Sequence, residues 1–545
     1  MQNRSKIRDI RGEIAEAFGI TSLKPKLHHV EHHRAHLASS FFVCRFDSAG
    51  VLSVDGFGDF VSAMWGYGEG NRIDVLGEVG FPHSLGIFYT AVTQYLGFPH
   101  YGDEYKVMGL APYGKPVLMD AMRDIVLVSD GRVSAIGREV QIPEKATVVQ
   151  GAGKFLIPGL WDMHVHWNDE RYLALFVANG VTGIRVMWGY PSHLEQRRRI
   201  AEGSVVGPRL AIAGTIIDGP KPFWPESIAA GTPEEGREAV RRTVKDGYDY
   251  VKVYSGLPRE VFFAIADEAK KLGIPFVGHV PDLVRVAEAS DAGMKSIEHL
   301  TGMALAVSGS EGELRRELAA AVKLPAGERG ERLRAIGARI LESYDAATAA
   351  ALYAKLKANG TWQVPTFTVL RYGADPHAPE YANDPRMRYM PPWVHKLWTN
   401  DFRHRERTAA QAASQMRLFQ RRLELVGEMH RAGVGILAGS DVLNPYCFPG
   451  FSLHDELGWL VKAGLPPMAA LQAATRNPAL FLGRGQEAGT VEPGKLADLV
   501  LLDADPLQDI GNTRRIAAVV ANGKLYPREA IDKMLAGIER MAGSN

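Results

Sequence analysis

His164 and His166 are two residues apart at the end of an apolar run. On a strand, residues i and i+2 point to the same side, so both imidazoles can grip one metal ion. An isolated pair of this kind also fits a structural or surface role. Lys252 lies inside Tyr250-Val-Lys-Val-Tyr254, with apolar strand residues on both sides. A lysine there is costly unless it is paired, neutral or modified. Burial favours the neutral amine, which can combine with CO2 to give a carbamate whose two oxygens bridge two cations. The competing reading is a lysine paired with a buried carboxylate.

His279 closes Pro275-Phe-Val-Gly-His279, and His299 closes Ser296-Ile-Glu-His299. Both end short apolar runs, the position expected at the C-terminal rim of a barrel strand. Either alone reads equally well as a satisfied rim histidine. Asp441 ends Ile436-Leu-Ala-Gly-Ser-Asp441, where a turn or helix-cap aspartate is also common. Spacing joins these residues. His166 and Lys252 are 86 positions apart, Lys252 and His279 27, and His279 and His299 20. At about 30 residues per strand–helix unit, the six residues fall on strands 1, 4, 5, 6 and 8 of a barrel.

The elements that must position them follow that beat. Strand candidates are 163–166, 183–187, 209–213, 250–254, 275–279, 296–299, 363–368 and 435–438, mostly separated by helical patterns. Eight alternations predict an α/β fold, a (β/α)8 TIM-like barrel. It spans 159–485, with helical insertions at 301–360 and 371–432 over the mouth. Runs at 125–128 and 133–136 flank Ser129-Asp-Gly-Arg132, a hairpin signal. With strand-like stretches at 489–503 and 516–525, they predict a small β-sandwich drawn from both flanks of the barrel, 117–158 and 486–530.

At this point a resemblance is plain. Residues 123–526 resemble the amidohydrolase superfamily, in its imidazolonepropionase-like and prolidase-like branch. The matching pieces are Phe155-Leu-Ile-Pro-Gly-Leu-Trp-Asp-Met-His-Val-His166, Tyr250-Val-Lys-Val-Tyr254, Gly278-His-Val280, Ile297-Glu-His-Leu300, Ala438-Gly-Ser-Asp441, Ala473-Ala-Thr-Arg-Asn-Pro-Ala479 and Gly489-Thr-Val-Glu-Pro-Gly-Lys-Leu-Ala-Asp-Leu-Val500. The resemblance implies two divalent ions. His164, His166 and Asp441 would hold one, His279 and His299 the other, and a carbamate on Lys252 would bridge them. It further implies a metal-bridging hydroxide that attacks a carbonyl carbon, with Asp441 passing the proton to the leaving nitrogen. Lys252 and His299 would serve that chemistry too. Zinc suits the nitrogen-and-oxygen ligand set, and manganese, cobalt and iron remain open. The substrate would be a small amide, cyclic amide or dipeptide-like molecule. Its specificity would come from loops carrying Trp167, Trp188, Trp224, Tyr254 and Tyr446, although Tyr254 reads as readily as a packing residue. His454 reads as a helix residue, and His193 and His430 as surface histidines.

The first part of the chain reads differently. Residues 28–36 are His-rich, and His32 and His36 are one turn apart if helical, so both rings could face one ion. Asp55 and Asp59 follow in a strand and turn; the bland reading is a histidine-rich helix and a tight turn. Val30-Glu-His-His-Arg-Ala-His-Leu-Ala-Ser-Ser-Phe-Phe42, Val54-Asp-Gly-Phe-Gly-Asp59, Phe81-Pro-His-Ser-Leu-Gly-Ile-Phe-Tyr89 and Gly102-Asp-Glu-Tyr-Lys-Val-Met-Gly-Leu-Ala-Pro-Tyr-Gly114 resemble carbamoyltransferases with an actin-type ATPase domain. That resemblance implies an α+β fragment over 1–116 with a vestigial metal site at His32, His36 and Asp55. Only about 100 residues match, and a fragment of one lobe should not turn over ATP. The hydrolase part lacks the opening strand its relatives carry. The sequence reads as a fusion of two incomplete parts meeting at Ala111-Pro-Tyr-Gly-Lys-Pro116.

Bulk properties set outer limits. The chain has 545 residues, 46% apolar and 23% charged, as in globular proteins. A formal charge of +1 gives no reason to expect nucleic acid or an anionic membrane as partner. Two distant cysteines, Cys44 and Cys447, form no disulfide framework. Residues 1–20 show helical spacing at Ile7, Ile10, Ile14 and Phe18 rather than a leader's apolar block, and no run could span a membrane. The expectation is a cytoplasmic protein, open to homo-oligomer formation. Two other functions compete with the hydrolase: nucleotide-dependent carbamoyl transfer, and a barrel kept without catalysis.

Overall fold

The computed structural model describes Gly19, residues 30–95 apart from Asp59, Phe81 and Pro82, and residues 125–543 apart from Arg138, Glu139, Asn168 and Arg405. The spacing at Ile7 to Phe18, the motif at 102–114 and the seam at 111–116 lie outside the described residues. The chain divides into two compact units, Met1–Ala121 and Met122–Asn545.

In the first unit a helix, His32–Phe41, starts where the Glu31 carboxylate accepts the backbone N–H groups of His33 and Arg34. Strands Ser48–Gly58, Val61–Glu69 and Arg72–Gly80 form an antiparallel sheet in sequence order, followed by helix Leu85–Tyr95. Leu37, Val61 and Met64 make its small core. His33 is buried there, its Nε2 donating to the Val61 carbonyl and its Nδ1 accepting from the Ser53 hydroxyl, each at 2.8 Å.

The larger unit is a parallel barrel. Strands Leu160–Val165, Val181–Val186 and Arg209–Ile212 pair side by side. The Ala213–Tyr250 bridge joins them to Val251–Val253, Phe276–Gly278, Ser296–Glu298 and Trp362–Val364. The ring closes through an eighth segment rather than a full strand. Ile436 bridges to Gln363, and the Met163 N–H donates to the Ala438 carbonyl at 2.9 Å. Trp161, Met163, Met187, Tyr250, Val277, Val364, Leu437 and Phe481 fill the interior.

The seventh strand is shorter than the 363–368 expected. Pro365 has no N–H to continue a ladder, Thr366 turns left-handed with φ 53°, and helix Phe367–Ala374 begins at once. The expected insertions are helical: Glu311–Ala321, Ala326–Glu342 and Ala346–Ala358 before that strand, and Pro392–Thr399 and Ala409–Ala432 after it. Behind the barrel, Phe155–Pro158 pairs antiparallel with Leu499–Leu502, which continues to Ile516–Ala521 and Lys524–Pro527. The hairpin of Ile125–Ser129 and Arg132–Gly137 joins this region where the Val133 N–H donates to the Lys495 carbonyl at 2.9 Å. Val133, Ala497 and Leu499 are buried together there. Among the described residues no helix is long and apolar enough to cross a membrane.

Candidate metal centre

The six residues singled out on the barrel strands meet at one end of it. His164 lies within a register shift between Asp162 and Val165, and His166 follows it. The shift resets the strand's alternation, so the two imidazoles approach each other above Trp161 and Met163, with Nε2 atoms 3.2 Å apart. Asp441 Oδ1 lies 3.1 Å from His166 Nε2 and 3.5 Å from His164 Nε2. The His299 ring centre is 4.6 Å from that of His164 and 4.9 Å from that of His279. Lys252 projects into the barrel from the fourth strand, buried, with no hydrogen bond or ion pair among the described residues. Gly278 beside it has φ 132°, and a Cβ there would fall 2.2 Å from the Val253 carbonyl oxygen and 3.1 Å from the lysine stem. The backbone of strand 5 can lie this close only because residue 278 has no side chain.

Backbone strain concentrates here. His299, Thr366 and Asp441 all sit in the left-handed region, with φ of 58°, 53° and 59°. Such conformations cost about 1–3 kcal/mol each and cluster at functional sites. For His299 the consequence is direct. Consecutive strand residues point to opposite faces, yet Glu298 and His299 both serve the barrel interior because the chain turns at His299.

A buried polar network lies below the histidines. Glu298 Oε2 is 2.7 Å from His164 Nδ1, and both Glu298 oxygens accept from Arg185 Nη2 at 2.9 and 3.0 Å. Arg185 also donates to the Met163 carbonyl at 2.7 Å and to Ser296 Oγ at 3.0 Å, with its guanidinium over the Phe481 ring. Because Glu298 is an acceptor, His164 carries its proton on Nδ1 and turns the Nε2 lone pair toward His166 and Asp441. His279 Nδ1 is 2.9 Å from Ser255 Oγ, and His299 Nδ1 is 2.7 Å from Thr366 Oγ1. Asp162 accepts the Ser440 hydroxyl and backbone N–H, anchoring the loop just before Asp441.

Burial sets the charge states. It pulls His164 and His279 well below the usual imidazole range, and His299 to about 4. It lowers the Lys252 amine to about 8, against the opposing pull of Glu298 and Asp441. For Asp441 burial acts upward, but the His299 and His166 imidazoles outweigh it and hold the carboxyl at about 2. The site therefore offers neutral imidazoles at His164, His279 and His299, an ionised carboxylate and an amine poised to lose its proton. This is the protonation a metal needs from its ligands. Among the described residues no donor hydrogen-bonds the buried Asp441 Oδ1. An acceptor left so, among converging imidazole lone pairs, fits a cation.

The residues nominated for substrate contact divide into two groups. Tyr254 stacks on His279 with ring centres 4.0 Å apart and accepts a hydrogen bond from Trp224 Nε1 at 3.1 Å. Trp188 lies 6.5 Å from His166 and 6.1 Å from Trp224, so these residues form an aromatic wall over strands 2 to 4. Tyr446 instead packs among Tyr372, Tyr381 and Trp398. Trp167 is buried against Tyr172, with its N–H on the Asp169 carbonyl. His454 is buried between Thr513 and the Asn179 carbonyl, as a packing residue. His193 is not a surface residue. It is fully buried, accepts the Tyr190 N–H on Nδ1 at 3.0 Å and faces the Trp167 carbonyl through Nε2, because it caps the helix Pro191–Ala201. Glu298, Arg185 and Thr366 escaped the sequence reading. Two left a signal: Arg185 and Glu298 are charges inside apolar strand runs, as Lys252 is.

In the N-terminal unit His32 Nε2 is 2.8 Å from Asp55 Oδ2 and 3.1 Å from His36 Nε2. All three side chains are roughly half-exposed, and the hydrogen bond to His32 holds the Asp55 carboxyl below its usual range.

Comparison with known proteins divides the chain in the same way. The family model "Carbamoyltransferase N-terminus" matches residues 12–133, and "Amidohydrolase family" matches residues 385–526. An uncharacterised protein of Synechocystis is 47% identical over 103 residues, 19% of this chain and 17% of that protein. This chain thus spans about a sixth of the length of that relative. Ochratoxinase of Aspergillus niger is 24% identical over 473 residues, 74% of this chain and 82% of the enzyme. Among solved structures, bottromycin amidohydrolase superposes with a TM-score of 0.62 at 24% identity, covering 80% of this chain and 95% of that one. The match to residue 133 runs into the hairpin that belongs structurally to the larger unit. The chain thus joins a carbamoyltransferase-type N-terminal segment to a barrel of the amidohydrolase type.

Proposed function

We propose that the larger unit is a metal-dependent hydrolase that cleaves a carbon–nitrogen bond in a small amide, cyclic amide or dipeptide-like substrate. One observation carries this reading: His164 Nε2, His166 Nε2 and the unpartnered Asp441 Oδ1 converge within 3.5 Å, beside an unpaired buried lysine. His164, His166 and Asp441 would hold one divalent ion and His279 and His299 a second, with a carbamate on Lys252 between them. Zinc fits this ligand set. The ions, when bound, acidify water and polarise a carbonyl.

The chain's own residues account for the rest. Glu298 fixes the His164 tautomer, and Thr366 and Ser255 orient His299 and His279 through their Nδ1 atoms. Asp441 stays ionised and can take a proton from the attacking water and hand it to the leaving nitrogen. The Tyr254 hydroxyl, raised to about 12 first by burial, stays protonated and can donate to the substrate oxygen. The aromatic wall of Trp188 and Trp224 would hold an apolar part of the substrate. In the N-terminal unit, His32, His36 and Asp55 would bind a cation weakly, since all three are exposed to competing water.

Metal analysis of the purified chain tests this reading. About two ions per chain are expected in the wild type, with Lys252→Ala and Asp441→Asn losing metal and amide hydrolysis together. Full activity and both metals in Lys252→Ala would rule out the bridging role.

A further inference from the structure

The loop that follows the eighth segment is strained. Asp441, Leu443 and Tyr446 all lie in the left-handed region, with φ of 59°, 93° and 59°. Backbone of this kind persists only where its surroundings over-determine it. The first strand holds the start of the loop. The Asp441 N–H donates to the His164 carbonyl at 2.8 Å, and the His166 N–H donates to the Val442 carbonyl at 2.9 Å. At Leu443 and Asn444 the hold comes from the insertion after strand 7.

Two side chains of that insertion reach the loop. Trp398, buried near the end of helix Pro392–Thr399, donates its indole N–H to the Leu443 carbonyl at 2.9 Å. Its ring packs edge-on against Phe448 with centres 5.2 Å apart, which fixes the direction of the donor. Arg403 donates from Nη2 to Asn444 Oδ1 at 2.9 Å. Asp401 accepts from Nε and Nη2 of the same guanidinium at 2.7 and 2.8 Å and so fixes the plane of the fork. Because a guanidinium only donates, Asn444 must turn Oδ1 toward it. Asn444 Nδ2 is then left to donate to the Asp441 carbonyl at 3.1 Å. The contacts thus run from Asp401 through Arg403 and Asn444 to the backbone of Asp441.

Packing alone does not call for this arrangement. Apolar burial would hold the Trp398 ring without aiming its N–H, and Arg403 already has a counter-ion in Asp401. Cohesion between the two insertions uses other bonds: Tyr353, on helix Ala346–Ala358, donates to Glu428, on helix Ala409–Ala432, at 2.9 Å. Trp398 and Arg403 instead direct donors at two consecutive residues of one strained stretch.

We propose that Trp398 and Arg403 are positioning residues that hold the backbone of residues 441–444, so that the Asp441 carboxylate faces His164 and His166. The proposal rests on the hydrolase reading above for its effect on metal, and on backbone geometry alone for its effect on the loop. It gives the insertion a part in the metal centre with no side chain of its own on the ion.

The test uses the full chain, stripped with chelator and titrated with cobalt(II). Trp398→Phe keeps an aromatic ring and removes the donor, and Arg403→Gln removes the fork. Each should weaken the ion held by Asp441 about 10- to 100-fold, the range for groups that orient ligands. Arg403→Lys keeps the charge but cannot serve Asp401 and Asn444 together, and should recover part of the loss. Tyr353→Phe removes a hydrogen bond between the insertions and should leave cobalt affinity within about 2-fold of wild type, as expected of a distant site. Wild-type affinity in folded Trp398→Phe and Arg403→Gln overturns the proposal. So does an equal loss in Tyr353→Phe, which would mark a general loosening. If wild type takes up no cobalt, the metal reading fails, and the hold on the loop is read from amide exchange in the metal-free protein. The Asp441 and Asn444 amides should then exchange about 10-fold faster in Trp398→Phe, the scale of one hydrogen bond, and no faster in Tyr353→Phe. Equal rates in wild type and Trp398→Phe overturn the assignment. Should Trp398→Phe and Arg403→Gln not fold, Arg403→Lys decides: wild-type cobalt affinity and wild-type exchange in that variant overturn it.

Discussion

His164 Nδ1 lies 2.7 Å from Glu298 Oε2, and both residues are fully buried. The contact decides which nitrogen of His164 is free to bind. Glu298 also neutralises Arg185, so one carboxylate serves a histidine and a guanidinium, neither of which has water to fall back on. Glu298→Ala leaves Arg185 as an uncompensated buried charge, a loss of about 3–5 kcal/mol. Glu298→Gln keeps the shape, removes the charge and releases the His164 tautomer, and should weaken metal binding about 10- to 100-fold. Thermal unfolding of the chelated protein and metal titration separate the two effects. Wild-type metal affinity in Glu298→Gln would show that this carboxylate does not position His164.

Lys252 gives the metal-free protein a pH signature. Its amine is lowered to about 8, first by burial, whereas in an unfolded chain it titrates near 10.4. Below pH 8 both states hold the proton, and the folded protein bears the full cost of a buried ammonium. Between 8 and 10.4 only the unfolded chain holds it, so stability rises with pH through that window. Lys252→Met should abolish this rise. Urea midpoints of wild type and variant at pH 7 and 9.5, with chelator present, measure the difference. Parallel pH slopes for the two proteins would mean that Lys252 is not the group responsible.

Much of this site could be read from residue types and spacing. The six nominated residues needed only strand alternation and a repeat of about 30 residues to be placed on one rim. What stayed hidden depended on departures from ideal strands. The register shift before Val165, the left-handed turns at His299, Thr366 and Asp441, and the early end of strand 7 leave no trace in hydrophobic patterning. His193 was misplaced for a related reason. A histidine in a polar helix reads as exposed unless its capping contact with Tyr190 and its approach to Trp167 are known.

Tyr254 has two contacts that mutation can separate. Its ring stacks on His279, and its hydroxyl accepts from Trp224 Nε1. Tyr254→Phe keeps the stack and removes the donor. If the hydroxyl stabilises negative charge developing on the substrate oxygen, kcat should fall about 100-fold with metal content unchanged. Trp224→Phe leaves the hydroxyl present but less well held, and should cost no more than about 10-fold. Steady-state kinetics with metal analysis of both variants tests this. A Tyr254→Phe variant with wild-type kcat would reduce Tyr254 to a packing residue.

The boundary between the two parts can be set by cutting at different points. The carbamoyltransferase match runs to residue 133, whereas the compact larger unit begins at Met122. The hairpin Ile125–Ser129 and Arg132–Gly137 starts between these limits and runs past residue 133, and Val133, Ala497 and Leu499 are buried together. A protein of residues 122–545 keeps that cluster and should unfold cooperatively with its metals bound. A protein of residues 138–545 loses the partner of Ala497 and Leu499 and bares their strand. Burial of one large apolar side chain is worth about 1.5–3 kcal/mol, so removing Val133 and its neighbours should cost at least about 3 kcal/mol. It should also promote association through the exposed edge near Leu496. Calorimetry and light scattering on the two truncations decide the matter. If the shorter protein is as stable and as monomeric as the longer, the hairpin is no structural part of the hydrolase, and the boundary belongs after residue 137 rather than before Met122.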